Sequence, residues 1–588
     1  MSLTGNPYSY VPTVSVADAP LDPLVSSAMV GVEVFNSVVR PGNAAITFDY
    51  KGESQIELGG FQIGFPISVR VGSALGDPLP LFSGTITALE FDYAQESGAR
   101  LVVRAIDPSH KLTKNNAPRI FQEMTTAEIV EEILSTSGVL LSEVIPTDDL
   151  NQVLVKPNID DWSFIQYLAR NVGYIAYFSG GVFNFSPPPP AEEGPPIVAS
   201  YDEPNLPRQL VLGRNLIRFN GRVSATNQAE SVNVRGWGIY GPVEGEGPVE
   251  TLSAENINSN PEIAAAAGVP LHVISASSIK DEDSAEDIAI SAGDYIAGQA
   301  YQMAGVALGD PSIVAGSIVS LSLIGASFDG QYMVSESTHI ISPEIGYHVD
   351  FLLGGRQSST LTELTGAGEG GAYMRRQSGL ATGIVMSLDD PEQLGRVKVK
   401  FPWLDPMHLS DWVRVVQMSG SEEAGTVLMP NIGSEVLCGF EDGNINYPYV
   451  LGTLWNVDVP PVGIEMAIDE VTGVVQRVIG SPNYKITIDD SPETMGVRIN
   501  DLEENLLFSL DGTENMITIQ VLGGEMTVTG GVVTIEGTES IEINAPEITI
   551  NADAELAISA SSISIAGEAD VTIEGATVSV DAAAISLG

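Results

Sequence analysis

The sequence predicts a mainly β protein of several domains that ends in a stem shared by three chains. Three observations carry this reading: period-2 alternation in the first 360 residues, five short strands within residues 380–456, and a C-terminal repeat of apolar doublets. At 588 residues, 44% of them hydrophobic, the chain exceeds one core and is not a disordered polymer. Its 76 acidic and 26 basic residues give a net charge of −50, which argues against a general nucleic-acid or anionic-membrane surface. A single cysteine, Cys438, excludes an intrachain disulfide framework and fits assembly in a reducing compartment. No basic region precedes an apolar run at the start, and no stretch has the length of a membrane helix, so neither export signal nor span is expected.

In chain order, residues 25–106 read as strands, including "AAITFDY", "SQIELGGFQIGFPISVRVG" and "PLFSGTITALEFDY". "TTAEIVEEILSTSG" places Ile129, Val130, Ile133 and Leu134 on one helical face, with Thr125 or Thr126 as cap and Gly138 as stop. "DWSFIQYLARNVGY" predicts a second helix and "YIAYFSGGVFNFSPPPP" a hairpin. Strands resume over 208–239, and 240–283 reads as loop. "SAEDIAISAGDYIAGQAYQMAGVALG" carries the strongest helix pattern, followed by strands at 312–354 and a Gly/Ser/Thr-rich linker, 361–379. Residues 380–456 hold five strands joined by Gly, Pro and Asp turns, the plan of a small oligonucleotide/oligosaccharide-binding (OB) type of barrel. That plan assigns no ligand.

The final segment, 457–588, repeats apolar doublets at i and i+2. In its last part these are Ile548/Ile550, Leu556/Ile558, Ile563/Ile565, Val571/Ile573, Val578/Val580 and Ile585/Leu587, beginning 7 or 8 residues apart. Each reads as a very short strand with both side chains on one side. Two inward side chains per turn cannot bury themselves within one chain, whereas three chains around one axis bring six per layer. An α-helical coiled coil shares the period of seven, but i/i+2 spacing and Ser/Thr/Gly/Val/Ile composition oppose it. Residues 501–588 hold sixteen Asp or Glu and no Lys or Arg, a repulsion the apolar axis must outweigh.

Several phrases resemble one family. "GIVMSLDDPEQLGRVKVKFPWLDP", "DWVRVVQMSG" and "MPNIGSEVLCGFEDGNINYPYVLGTLWN" are similar to the barrel of the VgrG-like spike and hub proteins of contractile injection systems, akin in plan to the phage T4 baseplate hub and spike. "LFSGTITALEF", "VVRAIDPSHKL", "EIVEEIL" and "DWSFIQYLARNVGY" sit where that family has its hub. The resemblance implies a homotrimer with a hub of interlocked β-barrels and inserted helices over 1–360, an OB-fold neck over 380–456, and an intertwined triple-stranded β-helix needle over 457–588. It further implies contacts with an inner tube protein and baseplate proteins, a PAAR-type tip protein, effector cargo as a further candidate, and transient contact with a target membrane. Assembly is expected in the cytoplasm within a phage-tail-like particle, with delivery to or through the target envelope on contraction. The compact plan, "PRIFQEMTT" and the bare needle resemble the extracellular type of system, without the lysozyme insert of the T4 spike or a toxin domain.

The needle core is therefore assigned to Ile548, Ile550, Leu556, Ile558, Ile563, Ile565, Val571, Ile573, Val578 and Val580, and tip docking to Ile585, Leu587 and Gly588. Trp403 and Trp455 read as packing anchors at the barrel ends, and Cys438 as a buried small hydrophobe. No catalytic, cofactor or metal residue is assigned. Asp389/Asp390 and Asp489/Asp490 read as turns, the five histidines form no ligand motif, and no phosphate loop occurs. Arg396, Lys398 and Lys400 alternate on a barrel strand and are expected to meet carboxylates of a neighbouring chain. The alternative reading is a trimeric β-helix tailspike that degrades polysaccharide or binds a receptor, opposed by the absence of any aromatic residue over 511–588.

Overall fold

A computed structural model describes residues 11–586, apart from 73–77, 96–97, 141–142, 190–193, 201–205, 239–240, 249–262, 276–278, 355–378, 462–466 and scattered single positions. The chain divides into two compact units, Met1–Pro460 and Pro461–Gly588. The expected linker falls almost wholly outside the described residues, as do Leu587 and Gly588 of the expected tip.

Alternating strands of the first unit, where the resemblance implies interlocked hub barrels, join into one 13-stranded sheet. The long strand Gly330–Ser342 is the reason. One stretch pairs with Met29–Ser37, matching His339 to Val34, while its start pairs with Ile318–Ser322. Its side chains accordingly enter two cores. Ile341 lies with Val34, Ile46 and Phe48, and Tyr332 and Val334 lie with Leu321, Val349 and Phe351.

Local signals set the helices. Thr126–Thr136 starts in a reciprocal capping box between Thr125 and Glu128 and buries the four predicted apolar residues. Asp161–Asn171 is capped by Asp160 and buries Trp162, Phe164, Ile165 and Leu168. Gly138 and Gly173, at φ +64° and +72°, end these helices in the left-handed conformation that only glycine adopts without steric cost. Both helices pack with the hairpin Ile175–Ser179/Val182–Ser186 in a third core.

Three segments differ from their sequence reading. "SQIELG" is a helix, Ser54–Gly59, closed by Gly60 N–H to Glu57 O and Phe61 N–H to Ile56 O, so only Pro66–Gly72 continues as strand. "YQMAGVAL" leaves the helix Glu282–Gly298 and becomes the strand Tyr301–Leu308, whose alternate residues are buried. Part of the expected loop at 240–283 is strand. Gly241–Pro248 and Leu271–Ser275 flank Ser231–Gly238, the first antiparallel and the second parallel to it. Pairing to a central strand overrides the weak intrinsic propensity of "GPVEGEGP".

The five strands Leu380–Ser387, Arg396–Lys400, Trp412–Val415, Glu435–Phe440 and Pro448–Thr453 close into a barrel. Its spatial order is first, second, third, fifth, fourth, and only the third and fifth run parallel. In the second unit, strands within 476–519 form a five-stranded antiparallel sheet. Beyond Ile519 the described residues form no helix or strand within the chain, and their side chains are exposed.

Candidate functional site

The barrel interior is apolar: Val385, Val397, Val399, Phe401, Val413, Val436, Cys438 and Val450 are buried together. Burial pushes the Cys438 thiol up to about 12, which leaves it protonated and unreactive at neutral pH. Trp403 packs at 64° to Phe401, with ring centres 5.9 Å apart, and donates its indole N–H to Thr382 O at 3.0 Å. It remains 46% exposed, and Trp455 remains 62% exposed.

The carboxylate pair at the first barrel turn is a structural knot. Asp390 accepts from the backbone N–H groups of Glu392, Leu394 and Arg396 at 3.2, 2.9 and 3.2 Å. Arg396 adds a bidentate contact at 3.1 and 2.7 Å and also reaches Glu392 at 2.9 Å. These bonds, the Arg396 side chain first, hold the Asp390 carboxyl well below the usual carboxylate range. The expectation that Arg396 meets a neighbouring chain is thus corrected: its carboxylates lie in its own turn, where the Asp-Pro sequence folds back on the strand. Lys398 instead lies over the Trp412 ring, 5.1 Å from its centre.

The barrel sits on the strand pair Arg119–Met124/Asn151–Lys156, a seat that sequence reasoning missed. Ile120 and Val155 enter the barrel core. Val155 N–H donates to Asn446 Oδ1 at 2.7 Å, and Gln122 Nε2 donates to Leu409 O at 3.0 Å. Beneath Val155, Lys156 and Asp161 form a fully buried ion pair at 2.7 Å. A polar cleft follows this seam, lined by Arg119, Glu123, Lys398, Asp405, His408 and Trp412 among others. Burial raises the Asp405 carboxyl, but bonds from Met407 N–H and from His408 more than offset this and lower it overall. His339, also buried, lies between Tyr347 Oη at 2.8 Å and Ile313 O at 2.9 Å, and burial lowers it to about 4. No group of three metal-ligating side chains occurs among the described residues.

In the second unit the doublets meet directly. Ile486/Ile488 oppose Ile499/Val497, these oppose Phe508/Leu510, and the latter oppose Ile519/Ile517. One face of the sheet is thereby a continuous apolar band, half-buried at Val497, Ile499 and Phe508 in its middle and exposed toward Ile486 at 37% and Ile517 at 65%. The opposite face is closed by polar groups. Thr487, Asp489 and Ser509 are buried, and Asp489 accepts from Gln476, Thr494 and Arg498 at 2.9, 2.8 and 3.2 Å and also from Ser491. Burial raises this carboxyl, yet the donors bring it down to about 2. Farther along, Ile548, Ile550, Leu556, Ile558, Ile563, Ile565, Val571, Ile573, Val578, Val580 and Ile585 are all more than half exposed within the chain.

Comparison with known proteins bears on the barrel most directly. The family described as the type VI secretion system/phage-baseplate injector OB domain matches residues 381–455, and the Alg8 N-terminal domain family matches 57–343. The type VI secretion system spike protein VgrG5 of Pseudomonas aeruginosa is 36% identical over 85 residues, which are 14% of this chain and 11% of that protein. VgrG2a of the same organism is 31% identical over 106 residues, 17% of this chain and 12% of the relative. The chain therefore aligns with about a tenth of the length of these relatives. In fold, it is similar to a chain of the lidded Francisella PdpA-VgrG complex, with a TM-score of 0.52, 10% identity, and coverage of 88% of this chain and 81% of the other. The half-lidded form gives a TM-score of 0.50 at 9% identity, covering 86% of each chain. The barrel matched by sequence is the one that closes in the structure, and over that segment the chain is similar to the injector OB domain and to VgrG spike proteins of type VI secretion systems.

Proposed function

We propose that this chain is the structural centre of a contractile injection particle, joining a hexameric inner tube to a trimeric needle that punctures a membrane. The observation that carries the proposal is the exposed series of doublets beyond an injector OB domain. Large aliphatic side chains repeated at this spacing and left in water are unfavourable by about 25 cal/mol per Å² of apolar surface. Two further copies wound about the same axis would cover them. In this reading residues 1–360 form the hub, 380–456 the neck and 457–588 the needle. Ile548 through Val580 line the needle axis, while Trp403 and Trp455 lie at the ends of the neck. Ile585, Leu587 and Gly588 form the platform for one PAAR-type tip protein per trimer. Inner tube and baseplate proteins meet the hub, and effector cargo is carried with the tip. The role is mechanical, with the particle assembled in the cytoplasm and the needle driven through the target envelope on contraction; the extracellular type of system is the one favoured.

The test is mass measurement and negative-stain imaging of the purified full chain. A trimer with one narrow needle supports the proposal. A monomer at micromolar concentration, or a thick parallel-helix shaft, overturns it.

A further inference from the structure

We propose that the five-stranded sheet within 476–519 is a registration face, the place where copies of this chain first meet and by which the phase of the following stem is fixed. The inference rests on the trimeric reading above and goes beyond it, because it assigns separate tasks to two parts of one apolar surface.

The stem has a register problem. From Met526 onward its doublets begin 7 or 8 residues apart, and the layers are chemically alike. A chain displaced by two layers, about 15 residues, would place Ile against Ile or Val almost as well as the correct one. Nothing in the repeat itself selects between these alignments. The sheet has the opposite character. Its doublets begin at 486, 497, 508 and 517, separated by turns, and therefore do not reproduce the stem spacing. A partner displaced by one or two stem layers, 7 or 8 or about 15 residues, would set these doublets against turns.

The sheet can also form before association, whereas the stem cannot. Its strands pair with each other in a single chain, which satisfies the backbone groups of the inner strands. Its turns are fixed locally: Asp501 Oδ1 accepts from Asn505 N–H at 2.9 Å, and Asp511 Oδ1 accepts from Thr513 and Glu514 N–H at 2.9 and 3.0 Å. Its polar face is occupied by the Asp489–Arg498 network, leaving the apolar band as the open face. Beyond Ile519 the described residues have no such intrachain pairing and must find partners during assembly. Association through a preformed face costs less ordering entropy than association through an unstructured repeat. The band ends at Ile517/Ile519, and Met526/Val528 is the next doublet, so alignment at the sheet is passed directly to the first stem layer.

The apolar band is thus covered by the same band on two further copies. Apart from Phe508 the repeat continues this surface with the same aliphatic residues, and the polar face beside it is already satisfied within the chain.

The test uses the full chain refolded from denaturant, with Ile563→Cys as a reporter of stem alignment under mild oxidation. In one variant Ile499→Thr and Leu510→Thr weaken the band while keeping β-compatible residues. In another Val571→Thr and Val580→Thr weaken the stem by a similar change. The sheet variant is expected to associate at least about tenfold more slowly and to lose the disulfides that the Ile563→Cys reporter forms between copies. The stem variant should associate at the parent rate, retain those disulfides and dissociate faster. A third arm deletes residues 564–578, about two layers, and should leave trimer formation and the disulfide intact. Equal slowing by the stem variant, or an unchanged rate with retained disulfides in the sheet variant, overturns the inference. A parent chain that stays monomeric at every concentration overturns the trimeric reading instead.

Discussion

Replacing Lys156 by Met should unseat the barrel while leaving the rest of the chain folded. Lys156 Nζ lies 2.7 Å from Asp161 Oδ1 and donates to the carbonyls of Ala117 and Asn115 at 2.9 and 3.3 Å. Both side chains are 0% exposed. The substitution keeps most of the volume but leaves a buried carboxylate with only Asn115 Nδ2 at 2.8 Å and Ser137 Oγ at 3.3 Å, and two carbonyls lose a donor. Removing one partner of a buried ion pair costs roughly 3–5 kcal/mol. Lys156 adjoins Val155, whose N–H and side chain hold the barrel, so the loss falls on the seat itself. A chain of several domains does not melt in two states, so local hydrogen exchange is the suitable assay. Protection over 119–124 and 151–156 should fall by roughly two to three and a half orders of magnitude, at about 1.4 kcal/mol per factor of ten. Adding Asp161→Asn should recover much of the loss, because no unpaired charge then remains. Protection within about threefold of the parent, or a double variant as weak as the single one, would refute the reasoning.

Placing Asp at both Ile563 and Ile565 would bring six carboxylates to the proposed axis, and light scattering should show fewer trimers and more aggregate; unchanged trimers would mean these side chains face outward. Deleting 578–588 should abolish co-purification of a PAAR-type tip protein and leave the trimer intact, whereas a retained tip would place docking elsewhere. The Asp107 carboxyl is raised to about 6 by burial, despite bonds from Gly42 N–H and from Ser109. Its folded form therefore binds more protons than the unfolded one between roughly pH 4 and 6, so its contribution favours folding at the acidic end and declines as pH rises through 6. Hydrogen-exchange protection around Gly42 and Ser109, corrected for intrinsic exchange at each pH, should show the parent gaining on Asp107→Asn as pH falls across that window, by up to about 3 kcal/mol, and parallel curves would contradict the assignment.

How much of this was legible in the sequence depended on the distance between the residues that decide each feature. The helix at 126–136 was legible because its cap, apolar face and glycine stop lie within thirteen or so residues, and neighbouring turns enforce them. The barrel strands were legible because alternate residues must enter a core too small for polar side chains. The second unit shows the limit of that reading. The doublets at 486–519 have the same local form as those of the stem, yet they pair within one chain, since longer turns let each strand fold back on the last.

By itself, then, the sequence determined the repeat, the barrel strands, the capped helices and the surplus of apolar side chains in the last segment. Tertiary structure decided which distant segments met. His339 against Val34 merges two cores into one sheet, and "GPVEGEGP" becomes a strand because Ser231–Gly238 has an edge to offer. Arg396 turns to Asp390 in its own loop, and Ile120 and Val155 reach into a barrel more than two hundred residues away. Backbone pairing is chemically the same at every register and carries little residue code of its own. Its choice therefore rests on long-range burial, which a local pattern cannot express.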